Sequence, residues 1–429
     1  MATVTVDQAK LVLNSFAAIF QNNLVSKDLV TWNKFKGEMN DRNGLTVVEQ
    51  VTPDYTTTFT TNQVNDLSAG VQDTIFGSEQ YKLTQVVGSS MGWADFVKIR
   101  DMGEARTSEA LKAAALRLAT DIDAYILGFA AKASNNWLGD GDSPVKDWED
   151  VASAYTRLKE EGVDDADLRA VLTYGDRQAL GKEIVDDNAS LSTLGGGIYR
   201  KGFDGMIAGI PTLYTQQLPA QTVGSRVASA TTLTNGLTAV NYEDVAISGA
   251  PGQYKSQVAD FDGQTGAVTW LDGETFTIAG VYAYDNRAKK RLGHLQEFRK
   301  IGNSTATAGA FTNVRFYPAI IASGPHKTVD YTGSLDNLAV THKGAANAVL
   351  HPRFIANKGA ITVNTADLMM PDTGTAQRTN LTKVPLSIRM WKHSDFATGA
   401  HSIRFDVALE ANVTAEGRRR IVRINGDGV

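Results

Sequence analysis

Residues 104–136 read EARTSEALKAAALRLATDIDAYILGFAAKASNN, and their periodicity decides the architecture. Leu111, Ala115, Leu118, Ile122, Tyr125, Ile126, Phe129 and Ala133 step by three and four residues, the spacing of one helical face. Lys112, Arg117, Asp121 and Asp123 fall on the opposite face. No proline interrupts the run, and its first glycine past the opening residues is Gly128. About 33 residues at 1.5 Å rise predict a rod of roughly 50 Å. That is well beyond the mean helix of ~11–12 residues. One such rod with a one-sided apolar stripe predicts a spine for a flat or elongated domain.

The residues before the rod behave differently. Residues 43–81 carry five acids, Glu49, Asp54, Asp66, Asp73 and Glu79, and neither Lys nor Arg. The segment is Thr-rich and contains a β-type run at Tyr55–Thr61, so an extended hairpin suits it better than a disordered tail. A stretch this long without helical period is functional more often than it is a plain connection. Further upstream, residues 5–25 predict an amphipathic helix: Thr5 and Gln8 have capping-box spacing, and Ala9, Val12, Phe16, Ile19 and Phe20 recur at helical intervals. Such a helix docks on its own core or reaches to a neighbour as an arm.

Between hairpin and rod lies VVGSSMGWADF, residues 86–96. Gly88-Ser89-Ser90-Met91-Gly92 fits the G-x-S-x-G nucleophile elbow, with a strand-like run before it. A hydrolase also needs a later acid and a later His, repeated βα units, and an oxyanion loop upstream. All six His lie beyond residue 290, so the order is permitted. The oxyanion loop is absent, and a long helix followed by β-rich sequence is the wrong architecture. Other chemistry is no better supported. Cysteine is absent, which excludes disulfides, thiolate catalysis and Cys-ligated metals. No H-E-x-x-H occurs, and no two His stand at i, i+4. His393 and His401 flank a turn and read as packing or surface residues. A loop from Asp140 has Pro144 and Val151 where a calcium loop needs an acid or amide and a Glu, so Gly139–Pro144 reads as a turn. The glycines of 194–198 lack the Lys-Ser/Thr of a phosphate loop. Glu160-Glu161 and Asp186-Asp187 are sequence neighbours on helices and point to different faces. No cofactor or metal is expected.

The chain has 429 residues, 42% hydrophobic and 21% charged, with a formal net charge of −5. Two or three domains are expected at this length. The mild acidity gives no footprint for sequence-specific DNA binding. The opening residues show no signal-peptide pattern, and no window is apolar enough for a membrane helix. The chain is expected to be made and used in a cytoplasm, or released from it by lysis.

Helices are predicted at 145–162 and about 176–187. From about 224 to 336 the composition turns to short β runs and Gly/Asn/Asp turns, with no helix expected. The clearest feature there is a hairpin: Glu274–Asp285, a charged turn with Arg287, Lys289, Lys290 and Arg291, then His294–Phe298. Val314–Gly324 is a further β segment. This module interrupts a chain that is α/β before it and mixed after it, as an inserted domain does. Leu386–Trp391 and Ile403–Ala411 alternate as strands. Arg418, Arg419, Arg420 and Arg423 form a basic cluster that reads as a solvated strand edge, or as a contact with an acidic neighbour or nucleic acid.

Extended segments cannot bury their own backbone and apolar groups. In a chain without an active site, the simplest covering is another copy of the same chain. The alternatives are a serine hydrolase centred on Ser90, and a module whose β insertion binds a glycan.

The order of six phrases carries a resemblance. LRLATDIDAYI (116–126) follows the extended loop, and FDGMIAGIPTLYTQQLP (203–219) precedes the insertion. GETFTIAGVYAY (273–284) and RFYPAIIASG (315–324) lie inside it. NLAVTHKGAANAV (337–349) follows it, and LSIRMWKHSDFATGAHSIRFDVAL (386–409) comes near the end. Together they resemble the major coat proteins of tailed double-stranded DNA bacteriophages, in particular the short-tailed subgroup with an inserted β domain. The resemblance implies an α+β tailed-phage major capsid fold: an N-terminal arm (1–40), an extended loop (41–88), and a peripheral domain with the spine helix (89–142, completed by about 366–429). It further implies an axial domain (143–223, completed by about 337–365) and an inserted antiparallel β-barrel-like domain (224–336). It implies hexamers and pentamers of an icosahedral virion shell assembled in the host cytoplasm. The partners it implies are a scaffolding protein, a portal, a decoration protein and non-specifically packaged DNA, with no membrane. VVGSSMGWADF would be the joint of the extended loop, with glycines that let it bend. Some members of the wider fold weld the shell through a loop lysine; residues 43–81 have none, so a non-covalent shell is expected. The acids Glu49, Asp54, Asp66, Asp73 and Glu79 are expected against Arg100, Arg106, Lys112 and Arg117 of the next subunit.

Overall fold

A computed structural model describes residues 6–39, 45–51, 77–92, 109–139, 143–164, 166–187, 206–226, 230–246, 254–285, 288–324, 326–371, 375–394 and 401–426. The fold is α+β, with two six-stranded sheets in the body and a separate β barrel.

The spine helix runs Glu109–Ala133, 25 residues. At 1.5 Å per residue that is about 37 Å among the described residues, and its end falls three residues before the predicted one. Residues 104–108 lie outside the described residues. The helix stops after Ala133 because the Ser134 hydroxyl donates to the carbonyls of Asn136 and Ile421, and Asn136 then begins a strand. Leu111, Ala115, Leu118, Ile122 and Ile126 are buried as expected. Phe129 is not: it is 37% exposed. Asp123 is a second correction. It is buried, and its carboxylate accepts hydrogen bonds from the backbone of Val25 and Ser26, both at 2.9 Å. The spine thereby caps the turn Ser26–Asp28 that ends the leading helix. Burial pushes the Asp123 pKa up, while those hydrogen bonds oppose the rise.

The leading helix, Val6–Asn23, docks on the chain's own core. Leu13, Phe16 and Phe20 are fully buried, and Phe16 stacks on Phe405 with centroids 4.0 Å apart. The strand Thr31–Met39 then pairs in parallel with Thr362–Leu368. Of the two readings of residues 5–25, the intramolecular one holds.

The first sheet runs in the order Thr31–Met39, Thr362–Leu368, His401–Asn412, Ser387–Ser394, Thr375–Asn380, and Val86–Gly92 also pairs with His401–Asn412. The joint at 86–92 is therefore a regular strand. Gly88 lies opposite Asp406, and a Cβ there would sit 2.4 Å from Asp406 Oδ1. Glycine is needed for this close approach. Immediately upstream, Leu45–Val51 and Gly77–Leu83 form a two-stranded antiparallel ribbon. Its root is held by Leu83, buried with Ala366, Leu368 and Ala408. Tyr55–Thr61 lies outside the described residues.

The second sheet has the order Asn136–Leu138, Ile421–Ile424, Arg353–Asn357, Leu168–Leu172, Ile210–Tyr214, Met206–Ile207. Helices Trp148–Glu160 and Tyr174–Asp187 match the predicted pair, and Val151, Ala154 and Leu158 of the first are buried against the sheet. The glycine loop at 194–198 lies outside the described residues.

The interrupting module is a barrel. Lys290–Ile301, Phe311–Tyr317, Gln257–Asp262, Thr232–Asn235, Ala339–His342 and Thr275–Asp285 are successive neighbours, and the last pairs with the first. Closure leaves no open sheet edge among these six strands. Phe261, Trp270, Phe276, Phe298 and Phe316 fill the interior, with rings at 4.9–6.2 Å. A five-residue helix, Tyr242–Ala246, occurs where none was expected. Its Tyr242 and Val245 are buried in a satellite apolar cluster with Tyr254, Tyr317 and Ile321.

Truncating Phe16 to Ala removes a stacked, fully buried ring from the junction of helix and sheet. The expected loss is about 3–5 kcal/mol, read as a lower midpoint in denaturant unfolding of the full chain.

Candidate functional site

Ser90 lies within the strand Val86–Gly92, opposite Arg404. A nucleophile elbow needs a sharp strand-to-helix turn, and a serine in a regular ladder has none. Among the described residues no group of three or more His, Asp or Glu could hold a metal ion. No described helix is long and apolar enough to cross a membrane.

The residues expected at an intersubunit contact separate into three sets. Asp54, Asp66, Asp73, Arg100 and Arg106 lie outside the described residues. Glu49 and Glu79 occupy directly opposed positions on the two-stranded ribbon. On the spine helix, Lys112 and Arg117 are both exposed, and Arg117 pairs with Asp121 one turn on at 3.0 Å.

The polar centre of the molecule lies elsewhere, where the barrel meets the body. Its key residue is Arg423, which the sequence placed on a solvated edge. It is fully buried in the strand Ile421–Ile424. One nitrogen, Nη1, donates to Gln221 Oε1 at 3.1 Å and to the Gly273 carbonyl at 3.0 Å. The other, Nη2, donates to the Ser134 carbonyl at 2.9 Å and to Thr275 Oγ1. The guanidinium lies 4.2 Å from the Trp137 ring centroid. Gly273 and Thr275 belong to the barrel, whereas Ser134 and Trp137 belong to the body. One side chain therefore ties the two together. Burial lowers the Arg423 pKa to about 9, with Arg299 acting in the same direction.

The rest of the cluster also departs from expectation. Arg418 is buried with its guanidinium 5.0 Å from the Tyr317 ring, and Arg419 donates to Glu161 at 2.6 Å. Arg420 alone is exposed.

Glu297 answers Arg423 from the barrel side. It is buried and accepts from the Trp137 backbone at 2.7 Å. Burial raises its pKa against the pull of Arg157. Arg299 donates to the carbonyl of Lys132 at the end of the spine, and Lys343 to that of Gly139 at 2.6 Å. Within the barrel, Glu274 is buried, pairs with Arg226, and accepts from the Gly224 and Leu271 backbones at 2.9 and 2.7 Å. The seam is thus built from charge-assisted hydrogen bonds, which are roughly twice as strong as neutral ones. The sequence signal for Arg423 was faint: a lone cation inside an otherwise apolar strand.

His294 lies at this seam, 3.7 Å from Glu160. Glu160 favours the protonated ring, but burial and the nearby Arg157 outweigh it and lower the pKa to about 4. Burial likewise places His342 well below its ordinary value. The unfolded chain takes up these protons more readily. For His294 the associated stability is present above about pH 6.5 and is lost as pH falls toward 4, and His342 acts in the same direction. The expected outcome is a melting temperature that falls between pH 7 and pH 5, with a shallower fall in His294→Gln. Arg423→Met strands its partners and is expected to cost on the order of 3–5 kcal/mol at pH 7, read by chemical denaturation.

The sequence profile described as "P22 coat protein - gene protein 5" matches residues 1–416. No curated protein matches the chain. Among solved structures, the capsid asymmetric unit of Cyanophage A-1(L) is similar at 10% identity and TM-score 0.44, covering 94% of this chain and 92% of that one. A chain in the capsid of a native GTA particle shows 7% identity and TM-score 0.42 over 95% and 91%. One from Mycobacterium phage Che8 shows 11% and 0.39 over 89% and 84%. Membership follows from the sequence match along nearly the whole chain: the protein belongs to the P22 coat protein family and is a structural capsid protein, which self-assembles into the shell of a bacteriophage virion and is not an enzyme.

Proposed function

We propose that copies of this chain form the hexamers and pentamers of an icosahedral shell that encloses double-stranded DNA. Assembly takes place in the host cytoplasm around a scaffolding protein, with a portal at one vertex and a decoration protein as a further partner. In this reading residues 1–40, 41–88, 89–142 with 366–429, 143–223 with 337–365, and 224–336 act as leading segment, extended loop, peripheral, axial and inserted domains.

The observation that carries the reading is the ribbon Leu45–Val51/Gly77–Leu83. Among the described residues it is a sheet of two strands only. An isolated two-stranded hairpin is marginally stable in water. Its open edges are templates for another chain. A neighbouring subunit is the natural cover. The acids at 49, 54, 66, 73 and 79 then face basic side chains near the neighbour's spine, with Arg100, Arg106, Lys112 and Arg117 as candidates. Each exposed pair contributes at most about 1 kcal/mol and is screened by salt. Repetition around a shell still sets register.

Negative-stain microscopy of the expressed chain, with and without a scaffolding partner, is expected to show closed shells of uniform size. Solitary globules under all conditions would overturn the reading. Residues 43–81 contain no Lys, so denaturing gels of mature shells are expected to show monomer and no ladder of covalent multimers.

A further inference from the structure

The barrel carries a projection that its own closure does not require. Of the long hairpin Thr275–Asp285/Lys290–Ile301, only the base lies in the barrel wall: Phe276–Ile278 pair with Ala339–His342, and Arg299–Ile301 with Phe311–Tyr317. Past an irregularity between Thr277 and Tyr282, which contains Gly280 at φ +77°, the two strands continue together to Asp285 and Lys290. Among the described residues only the short strand Val329–Asp330 accompanies them, pairing at Tyr282 and Ala283. The outer half is therefore a finger standing off the barrel.

Its tip is strongly basic. Lys289, Lys290 and Arg291 are consecutive and exposed. Lys289 and Lys290 make no ion pair with any described residue. Arg291 is held with its guanidinium 3.4 Å from the Tyr282 ring centroid, which stiffens the finger without neutralising the charge. Asp285 is the acid at the tip, and its Oδ1 accepts from the Ala288 backbone at 3.0 Å. A stiff finger whose tip carries three exposed cations against one acid, Asp285, the register partner of Lys290, has the form of an electrostatic contact awaiting its counterpart.

The chain's charge account shows where that counterpart is. The formal net charge of the whole chain is −5, and residues 43–81 contain five acids with no Lys or Arg. The rest of the chain therefore sums to zero, and the entire excess negative charge sits in this one segment. Within it, Glu49 and Glu79 are register partners on the two-stranded ribbon. Like charges directly opposite each other destabilise a ladder, so the ribbon is better held with cations alongside. On the spine, Arg117 already has Asp121, and Lys112 is exposed.

We propose that the basic finger of one subunit receives the Glu49/Glu79 portion of the acidic ribbon of a second copy. This rests on the shell reading above and reassigns two of its acids: Glu49 and Glu79 face a finger rather than the neighbour's spine.

The absence of cysteine makes a direct test possible. Chains carrying Lys289→Cys and differently tagged chains carrying Glu79→Cys are co-assembled and oxidised. Disulfide-linked heterodimers are expected in shells, and their loss is expected when shells are dissociated before oxidation. Intact shells without heterodimers overturn the proposal while leaving the shell reading in place; absence of shells from the unmodified chain overturns the shell reading itself. As a second arm, the triple reversal Lys289→Glu, Lys290→Glu, Arg291→Glu is expected to abolish shell formation, and Glu49→Lys with Glu79→Lys in the same chain to restore it. A triple variant that folds by circular dichroism and assembles like the parent also overturns the proposal.

Discussion

A carboxylate buried between two guanidinium groups holds the body together. Asp406 has no solvent exposure; it accepts from Arg389 at 2.8 Å on one oxygen and from Arg404 on the other. An unpaired charge at that depth would be costly, and removing one partner of such a pair typically loses 3–5 kcal/mol. The strand that bears it, His401–Asn412, pairs with Ser387–Ser394, Val86–Gly92 and Thr362–Leu368. One residue earlier, Phe405 receives the leading helix. Tyr125 of the spine donates to Glu410 further along the same strand at 2.7 Å. The leading helix, the spine and the root of the acidic ribbon all take their positions from this one strand.

The two halves of the molecule are joined by different physics. Inside the body and inside the barrel, apolar burial dominates, and each has its own cluster of buried side chains. Between them the contacts are mostly polar: Arg423 to Gly273 and Thr275, Glu297 to Trp137, Arg299 to Lys132, Lys343 to Gly139. Apolar burial is non-directional, whereas hydrogen bonds impose angles. Two independently packed units fastened by directional bonds hold a defined orientation without merging their cores.

What could be read from the sequence was what repeats locally. The spine, the helices near 148–160 and 174–187, and the hairpin of the barrel all follow from periodicity and turn chemistry. The basic finger and the acidic segment were legible as plain charge. Asp123 and Arg423 were misread because their partners are remote: Val25 and Ser26 lie about a hundred residues from Asp123, and Thr275 lies 148 residues from Arg423. No window of neighbouring residues contains that information. The G-x-S-x-G match failed for a similar reason. Gly88 is small because of Asp406, which comes more than three hundred residues later. The family resemblance succeeded because it relied on the order of several distant phrases.

The barrel is reached through a neck of four residues, Gln221 and Thr222 going out and Val349 and Leu350 coming back, paired as Gln221 with Leu350 and Thr222 with Val349. Departing and returning strands thus lie one ladder spacing apart, roughly 5 Å. From the body's side, everything beyond that point is equivalent to a tight turn. Such a connection lets recombination at two nearby positions exchange the appendage for another that again supplies partners to the buried Arg423. It also marks the two places where a foreign domain enters and leaves the chain without changing the path of the body's strands.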